Sequence, residues 1–349
     1  MKTLVITNDY SPKKGGISTY LNSFVEHLNF EKIVFAPSWA EGENVIQSKS
    51  NFIFGSKSQI TEIREIIESE KIELILHGSS NPQFLLVSKL INFGVPQAMI
   101  VHGAEFNIID SIPVLNKLFR NSLNQLHTIF SVSFFTSRKL QEITNTQIEI
   151  IGAGTKKIDF AREFKTENLT IGVSSRFVSR KKINWVIDAI HELNLSGHNV
   201  SLNIFGFGKL ENYLKKLADI SSANIKFFKD NSDNSDDSLD KFYKEIDIFV
   251  MPSKSKYFGK EFEGLGLVYL EAGSYQMPVM VGTSGGAFET IVPGKTGFIV
   301  SSRNDIYDGI NYFLSNPSSL KDFSIASKEY VDKNFDWEKV LKIFENSFR

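Results

Sequence analysis

The stretch Thr170–Gly208, TIGVSSRFVSRKKINWVIDAIHELNLSGHNVSLNIFGFG, decides the fold. A short apolar run, Thr170–Ser174, breaks into the basic turn Ser175–Lys182 and a helical-period segment follows. A second apolar run, Ser201–Phe205, then ends on Gly206-Phe207-Gly208. Strand, helix and strand, with turn residues after each strand, is the repeating unit of a parallel sheet. Ligand-binding loops of such sheets lie beyond the carboxyl ends of the strands.

The same rhythm runs in both directions along the chain. Upstream, strands are predicted at Leu4–Thr7, Ile33–Ala36, Leu74–His77, Ala98–Val101, Ile129–Val132 and Ile148–Ile151. Helical patterns lie between them at Ile17–Leu28, Ser58–Ser69, Gln83–Asn92 and Phe134–Ile143. Downstream, strands are predicted at Ile225–Phe228, Ile248–Met251 and Val279–Val281. The polar stretch Lys156–Asn168 (KKIDFAREFKTEN) carries little periodicity and reads as the seam. The expectation is an α/β protein of two doubly wound domains, 1–160 and 161–333, facing across a cleft. A terminal segment, 334–349, carries an amphipathic helix over Trp337–Phe348.

Composition narrows the function classes. The 349 residues contain no cysteine, which removes disulfide scaffolds, thiolate metal sites and cysteine nucleophiles. A formal net charge of −1 offers no global attraction to nucleic acid, and no nucleic-acid partner is expected. No apolar run reaches the ~18 residues of a membrane span. The start MKTLVIT stops being apolar at Asn8-Asp9, too short for a signal core, so it reads as a first strand and the protein as cytosolic.

Several motifs fall away on inspection. Gly152-Ala153-Gly154 and Gly206-Phe207-Gly208 lack the third glycine of a dinucleotide fingerprint. Pro293-Gly294-Lys295-Thr296 ends like a P-loop, but Glu289 stands where its first glycine must be. Asp230–Asp240 lacks calcium-loop spacing and reads as a solvated loop, and no pair of His residues has metal-ligand spacing.

Others carry chemistry. Gly15 and Gly16 precede a helix, where backbone amides approach an anion closely, with Lys13 and Lys14 beside them. His102-Gly103 leaves the strand Ala98–Val101 with Glu105 just beyond, placing an imidazole at the sheet edge. Arg176 and Lys181 follow a strand end and suit the charge that builds on a diphosphate leaving group. In Tyr257–Gly297, Glu263-Gly264-Leu265-Gly266 precedes Glu271-Ala272-Gly273. Were both glutamates on one helix, they would stand ~12 Å apart, too far for a retaining glycosidase pair. The better reading puts Glu263 on a loop and Glu271 on the helix behind it, with Gly264 and Gly266 opening amides to phosphate. Gly285, Gly286 and Gly294–Gly297 read as turn glycines.

Glu263 and Glu271 with the G-x-G between them, Gly285-Gly286-x-x-Glu289, Gly294-x-Thr296-Gly297, Gly15-Gly16, His102-Gly103 and Arg176 with Lys181 occur in a familiar order. The chain resembles the retaining family 4 glycosyltransferases of GT-B fold over nearly its whole length. Thr7–Pro12 and Phe258–Gly266 are further similar to the actinobacterial phosphatidylinositol mannosyltransferases, which use GDP-mannose on phosphatidylinositol monomannoside.

The resemblance implies two Rossmann-like domains, an acceptor-side one and a nucleotide-sugar-binding one, with the C-terminal helix crossing back to the first. It implies reacting-centre roles for His102, Arg176, Lys181 and Glu263. Donor contacts would come from Gly15, Gly16, Gly206, Gly264, Leu265, Gly266 and Glu271, the last on the ribose hydroxyls, with Phe228–Asp230 bordering the base. It implies no cofactor, no metal, and a lipid acceptor at an anionic membrane, with the enzyme peripheral on its inner face. For that surface the best candidate is Ile112–Leu126, where Lys117, Leu118, Phe119 and Arg120 form an apolar face with flanking cations. An ordinary helix packed on its domain is the competing reading. Lys182 replaces the family's usual glycine and Lys209 a common proline, and the region after Glu105 is compact. Alternatives are a UDP-sugar transferase of cell-surface polysaccharide synthesis and a non-catalytic nucleotide-sugar binder. The retained cations disfavour the binder.

Overall fold

The structure, a computed structural model, describes residues 1–103, 112–165, 167–229 and 235–348. The chain forms two compact units, Met1–Gly154 with Asp336–Arg349, and Thr155–Phe335.

The first unit holds strands β1 (Lys2–Ile6), β2 (Glu31–Ala36), β3 (Val45–Gln47), β4 (Leu74–His77), β5 (Gln97–Val101), β6 (Thr128–Ser131) and β7 (Ile148–Ile150). They form one parallel sheet in the order 3-2-1-4-5-6-7. Helices α1 (Gly16–His27), α2 (Lys57–Glu70), α3 (Phe84–Leu90), α4 (Pro113–Leu123) and α5 (Phe134–Gln141) lie between strands. The central strands are apolar at nearly every position because a parallel sheet is covered on both faces. Leu4 pairs across to Ile33 and Ile75, and Leu4, Ile6, Phe35 and Ile75 are fully buried in one cluster.

The second unit repeats the design. Strands β8 (Thr170–Ser174), β9 (Ser201–Phe205), β10 (Ile225–Phe228), β11 (Ile248–Met251), β12 (Val279–Gly282) and β13 (Gly297–Val300) form a parallel sheet in the order 10-9-8-11-12-13. Its helices are α6 (Ile183–Leu195), α7 (Glu211–Asp219), α8 (Ser235–Glu245), α9 (Leu267–Ser274), α10 (Arg303–Ser315) and α11 (Pro317–Asn334). Two doubly wound, parallel-sheet units are therefore what the chain builds.

Contacts place the changeover between units at Gly154/Thr155, upstream of the expected 160/161. The cause is side-chain anchoring within the seam. Ile158 and Phe160 pack on an aromatic cluster of the second unit, and Lys328 Nζ donates to the Ile158 carbonyl at 2.9 Å. Arg162 is buried and donates to three carbonyls, those of Tyr243, Ile246 and Tyr275.

The last helix, α12 (Trp337–Asn346), belongs to the first unit. Its indole packs edge-on against Tyr20 at 5.3 Å and stacks on His27, while Phe344 meets Phe24 and Phe130 at 5.1 and 4.9 Å. Gly154 is small for this reason: a Cβ there would fall 2.3 Å from the Trp337 ring. No helix among the described residues is long and apolar enough to cross a membrane.

Candidate functional site

In the second unit, parallel pairing puts the carboxyl ends of β8, β11 and β12 on one edge. The loop after β8 is pinned by Phe177, which is buried in the core, and its amide donates to the Phe207 carbonyl at 2.8 Å. Gly206 makes this crossing possible. Its φ is +137° and a Cβ there would lie 2.0 Å from the Ser175 carbonyl oxygen. Gly206 is thus a close-approach glycine between two loops.

The pinned loop turns through a short 3-10 segment, Ser179–Lys181, which buries two consecutive cations. Arg180 Nη1 contacts Glu263 Oε2 at 2.5 Å and its Nε reaches Glu261 Oε1 at 3.2 Å. Lys181 Nζ contacts the same Glu263 Oε2 at 2.9 Å and lies 3.3 Å from the Met251 sulfur. Burial alone would push the Glu263 carboxyl up, but Lys181 and Arg180 outweigh it and hold it at about 2. Burial pulls the Lys181 ammonium below its ordinary value, against the attraction of Glu263. Glu263 is the stronger statement: one buried carboxylate faces two cations and stays ionised.

The backbone of Glu263 is braced as firmly as its side chain. Its amide donates to Ser284 Oγ at 3.0 Å and its carbonyl accepts from the Gly286 amide at 2.8 Å. A Cβ on Gly285 would fall 2.1 Å from that carbonyl. The Gly285-Gly286 pair, read from sequence as turn geometry, therefore also packs against Glu263.

Glu263 stands on the loop and Glu271 on α9, as expected. Glu271 Oε2 accepts from the Tyr243 hydroxyl at 2.7 Å. Gly266 is the N-cap of α9 at φ +92°, with the Tyr269 ring where a side chain would stand. The Leu265 side chain is buried, and Gly264 is half-buried. Arg176 is exposed, and the described residues offer it no carboxylate; its charge lies near enough to Lys181 to disfavour that ammonium. The structure thus brings Lys181 and Glu263 into contact, and it adds Arg180, Glu261, Ser284 and Tyr243, which sequence reasoning missed. Glu261 and Glu263 alternate around buried Phe262, so two carboxylates opposite the run Arg180-Lys181-Lys182 was the available signal.

The first unit presents its own group. Gly15 and Gly16 open α1, and a Cβ on either would meet nothing within 4 Å, so the space beside them is open. Lys13 is tied to Asp9 at 2.6 Å, which offsets the cation expected there. His102 follows β5, is buried, lies 3.0 Å through Nε2 from the Gly78 carbonyl, and meets Tyr20 edge-on at 5.0 Å. Glu105 and Asp230 lie outside the described residues.

The proposed membrane face requires a correction. Phe119 is 2% exposed and packs edge-on against Phe84 at 5.5 Å, and Leu123 is fully buried. Their stripe of α4 is the side that rests on α3. Phe119 is a core residue; Leu118 at 45% and Val114 at 68% are the exposed apolar positions, with Lys117 and Arg120 also exposed.

A family model described as glycosyl transferases group 1 matches residues 154–330, just over half the chain. The chain belongs to that family. This glycosyltransferase is 27% identical to the GDP-mannose-dependent alpha-(1-6)-phosphatidylinositol monomannoside mannosyltransferase of Mycolicibacterium smegmatis, over 96% of this chain and 94% of that one. A Corynebacterium glutamicum enzyme named for the monoacylated acceptor is also 27% identical, with 97% and 95% covered. Among solved structures, sucrose-phosphate synthase from Thermosynechococcus elongatus superposes with a TM-score of 0.80 at 15% identity, covering 100% and 98% of the two chains. Anabaena HepE in complex with UDP and glucose gives 0.79 at 16% identity, covering 100% and 99%. The glycosyltransferase has the GT-B fold expected of it, with two Rossmann-like units, and it is a hexosyltransferase.

Proposed function

We propose that the glycosyltransferase moves mannose from GDP-mannose to a phosphatidylinositol mannoside, with retention of the anomeric configuration, at the inner face of a membrane. The observation that carries this reading is the likeness to mannosyltransferases so named along nearly the whole chain. The cations of the second unit, buried Lys181 and exposed Arg176, suit the chemistry. Lys181 and Arg176 take the diphosphate as it leaves, Glu263 takes the sugar hydroxyls, and Glu271 takes the ribose. The amides at Leu265 and Gly266, with Gly264, open to phosphate at the start of α9. Gly15 and Gly16 offer backbone amides in open space, and His102 sits beside the transferred sugar.

In the favoured path the acceptor oxygen bonds to the anomeric carbon on the face the phosphate leaves. The carbon–oxygen bond to the phosphate breaks, and the departing phosphate oxygen takes the acceptor proton. Cationic side chains meet the developing charge, so the reaction uses no metal. Exposed Leu118 and Val114, flanked by Lys117 and Arg120, rest in the anionic interface. A UDP-sugar donor is the second reading, supported by 24% identity to a capsular polysaccharide glycosyltransferase of Staphylococcus aureus over 67% of this chain and 59% of that one.

The test offers GDP-mannose and UDP-glucose in parallel, with anionic vesicles carrying phosphatidylinositol monomannoside. Mannosylated lipid from GDP-mannose alone is expected, with full activity in chelator. Product from UDP-glucose alone would replace this reading by the second.

A further inference from the structure

Glu263 Oε2 is shared: Arg180 Nη1 and Lys181 Nζ both contact that one oxygen. Among the described residues Glu263 is the only carboxylate paired with Lys181, while Arg180 also holds Glu261. A diphosphate that recruits Lys181 must therefore compete with Glu263 for the same ammonium. Stripping a buried carboxylate of its sole cation is costly, and the carboxylate then protonates or swings away. A second cation on the same oxygen removes that cost.

We propose that Arg180 is a positioning residue that keeps Glu263 ionised and in place while Lys181 transfers its ammonium from Glu263 to the donor diphosphate. This rests on the donor reading above. Arg180 is suited to the task in three ways. Its guanidinium spans two carboxylates, which fixes its plane. It is buried, and its carbonyl accepts from the Lys254 amide at 2.8 Å, which ties the 3-10 turn to the loop after β11. It cannot give up its proton, so the pairing persists at every working pH. The charged and titratable groups around the cluster are Arg176, Arg180, Lys181, Glu261, Glu263 and the Tyr269 hydroxyl.

The experiment compares wild type, Arg180→Met and Arg180→Lys by calorimetric titration with GDP and with UDP. It also follows the pH profile of donor hydrolysis without acceptor, using GDP-mannose and UDP-glucose. In Arg180→Met, Lys181 stays locked on Glu263, so nucleotide affinity falls about tenfold. Glu263 has lost one of two cations, so the acid limb of kcat/KM moves up by about one pH unit. Arg180→Lys restores the charge but cannot span both carboxylates, so its limb lies between the other two. If Arg180→Met fails to fold, an Arg180→Lys acid limb displaced above that of wild type carries the test alone, and one that coincides with wild type overturns the proposal. A uniform loss at every pH, with the acid limb unmoved in both variants, overturns the proposal and leaves the donor reading standing. Wild type that binds neither nucleotide overturns the donor reading, and the proposal with it.

Discussion

At the residue scale, the unusual economy is one carboxylate serving two buried cations. Glu263→Gln leaves Lys181 without a carboxylate partner among the described residues and Arg180 with only Glu261, so denaturant unfolding should show a loss of about 3 kcal/mol. Lys181→Met removes one buried charge and leaves Glu263 paired, so its stability cost should be smaller, while its transfer rate drops by about 10²–10³. Wild-type stability from this carboxylate is present above its unfolded value of 4.5 and is lost as pH falls toward 2. A different residue fails first on acidification. His77 is buried and, among the described residues, meets a hydrogen-bonding group only at Gln97 through Nε2, leaving its buried Nδ1 without a partner there. Burial pulls its pKa from 6.5 to about 4, so the unfolded chain binds the extra proton first and stability declines as pH falls from 6.5 toward 4. His77→Gln should flatten that part of a melting-temperature profile; an unchanged slope would place its cause elsewhere.

At the element scale, α4 separates two outcomes that its sequence merges. Phe119→Ser empties a packed site against Phe84 and should cost about 3 kcal/mol in chemical denaturation. Leu118→Ser touches an exposed position, should leave stability within about 0.5 kcal/mol, and should weaken vesicle flotation. Periodicity located the helix but not which stripe faces inward, because Leu115, Phe119 and Leu123 and the pair Val114, Leu118 are both apolar at helical spacing. The central strands were legible for the opposite reason: burial on both faces leaves an unbroken apolar run. β3 was not legible, being three residues long with no fully buried position. β13 was not legible either, since it opens on Gly297, which reads as a turn. In the structure that glycine lets the strand pass Val279, whose carbonyl would lie 1.8 Å from a Cβ.

At the scale of the whole molecule, the ordered motifs were legible because glycines at loop tips answer to close backbone approach and the buried charges beside them to one another. The seam was not, because Arg162 looks like one more surface charge until its three carbonyl partners are gathered from remote segments. Arg162→Ala should destabilise the second unit by about 2–4 kcal/mol, read as an earlier melting transition.

Trp337 and Phe344 fill the core of a unit whose strands end near residue 150, yet some 180 residues of another unit are translated between them. On the ribosome the unit begun first is therefore finished last. Its Tyr20, Phe24 and Phe130 wait uncovered while the second unit emerges and closes. Stalled nascent chains ending at residue 335 should yield a protease-resistant second unit and a digestible first one, and holdase chaperones should bind the first throughout that interval.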